Sequence, residues 1–138
     1  MIVDECPSCA TNQLDLFADG YSKLDASDAG NINVSYDIVP CGITTPLVVK
    51  NKDGTSKYWF SMQVINANVA VSKLEVSVDG GKTWSEAGRT DYNFFENHAG
   101  YGQDSVDVKV TSTSGQSIIV KDVSTASETS KTAASNFS

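Results

Sequence analysis

From residue 46 onward the sequence keeps returning to one pattern. A short run of alternating or wholly apolar residues is followed by a cluster of glycine, aspartate, asparagine and serine. The runs are "PLVVK", "KYWFSMQVIN", "VSKLEVSV", "TWSEAG", "RTDYNFFE", "SVDVKVTS" and "QSIIVKDV", with a last short one near "ASNF". The breaks are "KDGTS", "DGGK", "NHAGYGQ" and "STSGQ". Runs this short at period two are strands, and the breaks are turn chemistry. About seven or eight such strands in about a hundred residues is the rhythm of an immunoglobulin-like β-sandwich. The polar stretch "STASETSKTAAS" reads as a loop within it.

One run poses a question. In "SKYWFSMQV", Tyr58, Trp59 and Phe60 are consecutive. Successive strand residues point to opposite faces. A core stripe of Tyr58, Phe60, Met62 and Val64 leaves Trp59 with Ser61, Gln63 and Ile65 on the other side. The expectation is that Phe60 and Met62 fill the core while Trp59 faces outward to meet something flat. Phe94, Phe95 and Trp84 are expected in the core or at a hairpin, and His98 in a solvated loop.

A sharper local motif is "SVDGGKTW", Ser77 to Trp84, which fits the S-x-D-x-G-x-T-W pattern called the Asp box. Asp79 offers side-chain-to-backbone hydrogen bonds, and Gly80 and Gly81 offer positive φ, as a tight hairpin requires. A single copy points to a structural hairpin with Trp84 packed under it.

Residues 1–41 have a different texture, rich in acid and holding all three cysteines, Cys6, Cys9 and Cys41. "NQLDLFADGYSKL" reads as a strand entering a helical turn, with Asp15 or Asp19 as its cap and Phe17, Tyr21 and Leu24 at helical spacing. "GNINVSYDIVPC" alternates Ile32, Val34, Tyr36 and Ile38 as a half-buried strand does. Forty-one residues with so few elements do not close a core alone. The expected organisation is a domain tail over 1–41 and a complete all-β unit over 42–138.

Charge narrows the partners. Ten basic residues stand against 17 acidic ones, a net charge of −7. Such a surface repels phosphate backbones and anionic lipid, so neither nucleic acid nor a membrane is expected as a partner. The apolar runs are far shorter than the ~20 residues of a membrane span, and "MIVDEC" has no basic start leading into an apolar block. One histidine and a "CPSC" pair do not make the four-ligand set of a structural zinc site. No metal or cofactor is expected, and the cysteines read as disulfide formers of a secreted protein, one of the three left over.

Taken in order, "VDECPSCATNQLDLFADGYSKL", "GNINVSYDIVPC", "SKYWFSMQV" and "RTDYNFF" resemble the expansin family over almost the whole chain, with fungal expansin-like proteins the nearest in pattern. The resemblance implies a secreted, extracellular, non-hydrolytic wall-loosening protein that joins a double-psi β-barrel to a cellulose-binding sandwich. On that footing 1–41 is the C-terminal, incomplete part of the barrel and 42–138 the whole binding domain. The missing barrel strands and signal peptide are then assigned to a lost N-terminal part. Asp15 in "LDL" and Asp4 in "VD" match the acidic residues of the barrel site. Tyr58, Trp59 and Tyr92 match the aromatics of the polysaccharide-binding face, with Lys52 beside them. Cys41 is expected to bond to one of the "CPSC" pair.

Two rival functions remain at this stage. Asp15 could serve as general acid of a lytic enzyme, although glycoside hydrolysis normally needs two carboxylates flanking the bond. The sandwich could instead bind a protein partner. The leading expectation is a monomer that is not an enzyme and that binds insoluble polysaccharide: cellulose first, chitin or mixed-linkage glucan as alternatives.

Overall fold

The computed structural model describes residues 4–24 and 30–138; the opening "MIV" lies outside them. Eight strands form one antiparallel sheet: β1 (Val48–Asn51), β2 (Phe60–Ile65), β3 (Val71–Ser77), β4 (Ser85–Arg89), β5 (Phe95–Asn97), β6 (Ser105–Ser112), β7 (Ser117–Ser124) and β8 (Ser130–Thr132). Their order across the sheet is β7-β6-β3-β4-β5-β2-β1-β8. The sheet curls until its two edge strands meet, where Lys131 Nζ donates to the Asp122 carbonyl at 2.9 Å. Curling lets one set of inward side chains close a core without a helical layer.

The alternation in the sequence becomes that core. β6 buries Val106, Val108 and Val110 and turns the residues between them outward. In β7 the inward set is Ile118, Val120 and Val123, one residue out of step. A bulge explains this: the register shifts between Val106 and Val108, and Asp122 takes a positive φ of 50°. The extra residue returns Val123 to the inner face. Phe60, Met62, Leu74, Phe95 and Leu47 are fully buried in the same cluster. Burial of each such side chain contributes roughly 1.5–3 kcal/mol.

Several sequence expectations are corrected. The stretch read as a loop, "STASETSKTAAS", supplies β8, which pairs with β1 through Val49↔Lys131; its wholly polar side chains, Ser130, Lys131 and Thr132, hid an edge strand. "ASNF" is no strand, yet it anchors the chain end. Phe137 is buried, and Asn136 caps the carbonyls of Thr45 and Asn66 at 2.6 Å each. "RTDYNFFE" is a turn from Thr90 to Phe94 before β5, closed by Thr90 N to Phe94 O at 2.8 Å.

Among the described residues, none before Leu47 is buried. The only element there is a short helix, α1 (Ala18–Tyr21). Phe17 occupies its cap position without a side-chain bond, so neither Asp15 nor Asp19 caps it. "GNINVSYDIVPC" is not a strand; Ile38 is 91% exposed, because no facing layer exists within the described chain. The disulfide is also not the one expected. Cys6 bonds Cys9, and Cys41 is free and exposed. A turn with Cys9 N on Cys6 O brings the pair together, while Cys41 is tied by its amide to Asn68 O at 3.0 Å.

Candidate functional site

The residues that gather into a site come from three places along β1, β2 and β5. Lys52 follows β1, Trp59 precedes β2, and Tyr92 and Phe94 sit in the turn that leads into β5. Pairing of β1 with β2 and of β2 with β5 makes these segments neighbours. The Lys52 ammonium lies 4.5 Å from the Tyr92 ring centroid, 5.2 Å from Phe94 and 5.9 Å from Trp59. These are cation–π distances. One cation therefore holds three rings around it.

Beneath the rings lies Glu96 in β5, its side chain 6% exposed. Its Oε1 accepts from Ser61 Oγ and from the Tyr92 hydroxyl, each at 2.8 Å. Lys52 Nζ stands 3.9 Å from the same oxygen, and Oε2 faces His98 Nε2 at 3.1 Å. Burial pushes the Glu96 carboxyl up. The bonds from Ser61, Tyr92 and His98, with the Lys52 charge, outweigh burial and hold it below the usual glutamate range. A buried carboxylate this well supplied with donors fixes the groups that surround it.

His98 reaches the site through the turn after β5. Its ring lies 6.4 Å from the Trp59 ring and within 20° of parallel to it. The Tyr92 and Phe94 rings meet at 49°, 5.7 Å apart.

The outcome for the opening aromatics is now plain. Phe60, Met62 and Val64 point into the core, and Trp59 is half-buried on the other side. Tyr58 does not follow the inward stripe. β2 starts only at Phe60, and Ser56 and Trp59 pair across a tight turn, which leaves Tyr58 72% exposed with Lys57 beside its ring. Lys52, Trp59 and Tyr92 stand together, while the cation beside Tyr58 is Lys57. Sequence reading missed Glu96, Ser61, Phe94 and His98 as members. The one signal available was the spacing of Tyr92, Phe94 and Glu96, which puts all three on one side of the strand entry.

Trp84 sits at the hairpin, as expected. Its indole N–H donates to Gly81 O at 3.1 Å, and Asp79 accepts from Lys82 N, Thr83 N and Thr83 Oγ1. Asp4 and Asp15 are both exposed. Asp4 accepts from the Glu5 amide, and Asp15 lines an open groove with Tyr21, Asn31 and Ile32. Among the described residues no cluster of histidine, cysteine, aspartate and glutamate could hold a metal ion.

No protein-family model matches the chain. Curated proteins do. Expansin-YoaJ of Bacillus subtilis (strain 168) is 31% identical over 121 residues, 88% of this chain and 50% of that protein. Expansin-like protein 5 of Dictyostelium discoideum is 30% identical over 125 residues, 87% of this chain and 52% of that one. These likenesses support the expansin family. Among solved structures, an expansin of Clavibacter michiganensis without ligand superposes with a TM-score of 0.60 at 24% identity, over 78% of this chain and 50% of that one. A mutant of the same bacterial expansin, crystallised with cellohexaose, matches equally well. The all-β fold is thus an expansin-type fold. This chain spans about half the length of the expansins it matches.

Proposed function

We propose that this chain binds cell-wall polysaccharide, cellulose foremost, through Trp59, Tyr92 and Lys52, with Tyr58 at the rim, as part of a secreted, non-hydrolytic expansin-like protein. The observation that carries the reading is the gathering of Trp59 and Tyr92 around Lys52 over a buried, fully engaged Glu96. The axial C–H bonds of a β-linked glucan form apolar faces, which aromatic rings with a polar handle cover well. Lys52 adds donors for the sugar hydroxyls. The net charge of −7 repels anionic polymers and leaves a neutral glucan unopposed. Cellohexaose bound by a mutant of the Clavibacter expansin belongs to that protein, and it favours a β-glucan over other glycans here.

The domain division follows. Residues 42–138 are the binding unit, of the immunoglobulin-like sandwich kind, and act as a monomer. Residues 1–41 correspond to the end of a double-psi barrel, in keeping with their exposed Leu14, Phe17, Tyr36 and Ile38. A lytic role for Asp15 draws no support: it and Asp4 are exposed, and a general acid is made by an environment that shields it.

The test is adsorption to crystalline cellulose, chitin and mixed-linkage glucan at low and high salt. Retention on cellulose that is insensitive to salt and lost in Trp59→Ala supports the reading. Retention of the Trp59→Ala protein, or no retention of the wild type on any glycan, overturns it.

A further inference from the structure

The Trp59 side of the face has a neighbour that no aromatic count would include. His98 is 77% exposed in its side chain, yet it is not a free loop residue. Its Nε2 is fixed by Glu96 Oε2 at 3.1 Å, and its ring runs within 20° of the Trp59 plane. A centroid separation of 6.4 Å is too long for full face-to-face overlap and belongs to an offset pair. The imidazole therefore extends beside the indole more than it covers it.

The turn that carries it is rigid. Asn97 Nδ2 donates to Gly100 O at 3.0 Å, and Asn97 Oδ1 accepts from Ala99 N at 3.1 Å. The amides of Tyr101 and Gly102 both reach Lys57 O, the residue two before Trp59. The chain thus spends an asparagine clamp and two backbone bonds holding an exposed imidazole against a half-buried indole. Core packing does not require that.

We propose that His98 is a further glycan-contacting residue of the face, a flat ring that continues the Trp59 surface along the polymer, with Glu96 as its positioning residue. The proposal rests on the binding function given above. It extends the contact toward Ala99, so the face spans more than one sugar unit on that side. With Nε2–H donated to Glu96, Nδ1 is left to accept from a sugar hydroxyl.

Adsorption isotherms on crystalline cellulose, paired with thermal melts, test this in wild type, Trp59→Ala, His98→Ala and His98→Phe. His98→Ala should bind roughly three- to tenfold more weakly, the scale of one aromatic contact, and melt somewhat lower because Glu96 Oε2 loses a donor. His98→Phe, which keeps a flat ring, should recover most of the lost binding. If Trp59→Ala loses binding while His98→Ala binds like wild type, this inference fails and the function stands. His98→Phe also lacks the donor to Glu96, so if it binds no better than His98→Ala the residue is only a tie for Glu96, and that too overturns the inference. If the wild type does not adsorb at all, both readings fall together.

Discussion

Gly100 lies so close to Lys57 that a Cβ there would collide with the Lys57 carbonyl and with the Tyr58 backbone. Its φ is +63°, which an L side chain rarely adopts, and so two constraints demand glycine at one position. This approach seats the turn after β5 against the segment carrying Tyr58 and Trp59. Gly100→Ala should therefore destabilise the fold by roughly 2–4 kcal/mol, combining strain at positive φ with a backbone displacement. Binding should weaken as well, because Trp59 and His98 would separate. Urea melts together with cellulose adsorption check both, and a Gly100→Ala protein of wild-type stability refutes the close approach.

The hydroxyl of Tyr92 separates binding from stability. Tyr92→Phe keeps the ring and removes one of the donors to Glu96 Oε1. Leaving a buried carboxylate short of a donor costs about 1–3 kcal/mol. The expected result is a lower melting temperature with most of the adsorption retained. Tyr92→Ala should lose both.

How much of this was legible in the sequence depends on which force set each element. β6 was legible because Val106, Val108 and Val110 bury one face while Asp107 and Lys109 stay half-exposed on the other. The Asp-box hairpin was legible because Asp79 and the Trp84 N–H close their bonds within the motif. β8 was not, since Ser130, Lys131 and Thr132 carry no apolar signal and are strand only because β1 offers its edge. Ile32 to Ile38 showed the right alternation and form no strand, because a pattern states what should be buried and cannot supply the partner. In the site, Trp59 and Tyr92 could be named from residue type. Glu96 could not, because its role arises from Ser61, 35 residues away, and from Lys52, just past the end of β1.

Acid should loosen the protein through carboxylates held in the charged form. Glu96, Glu75 and Asp79 all sit below their ordinary ranges. Glu96 and Glu75 do so despite burial, through their hydrogen-bond donors and lysines. Asp79 does so mainly through the Thr83 hydroxyl, followed by the Thr83 amide and Ser77. For a depressed group the unfolded chain binds the proton first. Its contribution is complete above the unfolded value of about 4 and fades as pH falls through the folded value. Melting temperature should hold steady from about pH 7 to 5 and then drop below about pH 4. Asp79→Asn should flatten that acid limb and lower the plateau, since the amide cannot accept from Lys82, Thr83 and Ser77 as the carboxylate does. An acid limb as steep as wild type in Asp79→Asn would sink the assignment.

Phe60 and Trp59 are adjacent in sequence and should respond oppositely. Phe60 is fully buried, with its ring edge-on to Tyr101 at 5.0 Å. Phe60→Ala leaves a cavity in the middle of the core and should cost about 3–5 kcal/mol. Trp59 is half-buried beside Lys52 and His98, so Trp59→Ala should cost clearly less stability and remove nearly all adsorption to cellulose. Salt should change neither binding nor this contrast, because a neutral glucan has no condensed counterions to release. The comparison is decisive because it uses two neighbouring large rings under one assay. If Trp59→Ala unfolds the protein while Phe60→Ala folds and fails to bind, the strand presents its opposite face, and the rings around Lys52 are packing rather than a binding surface.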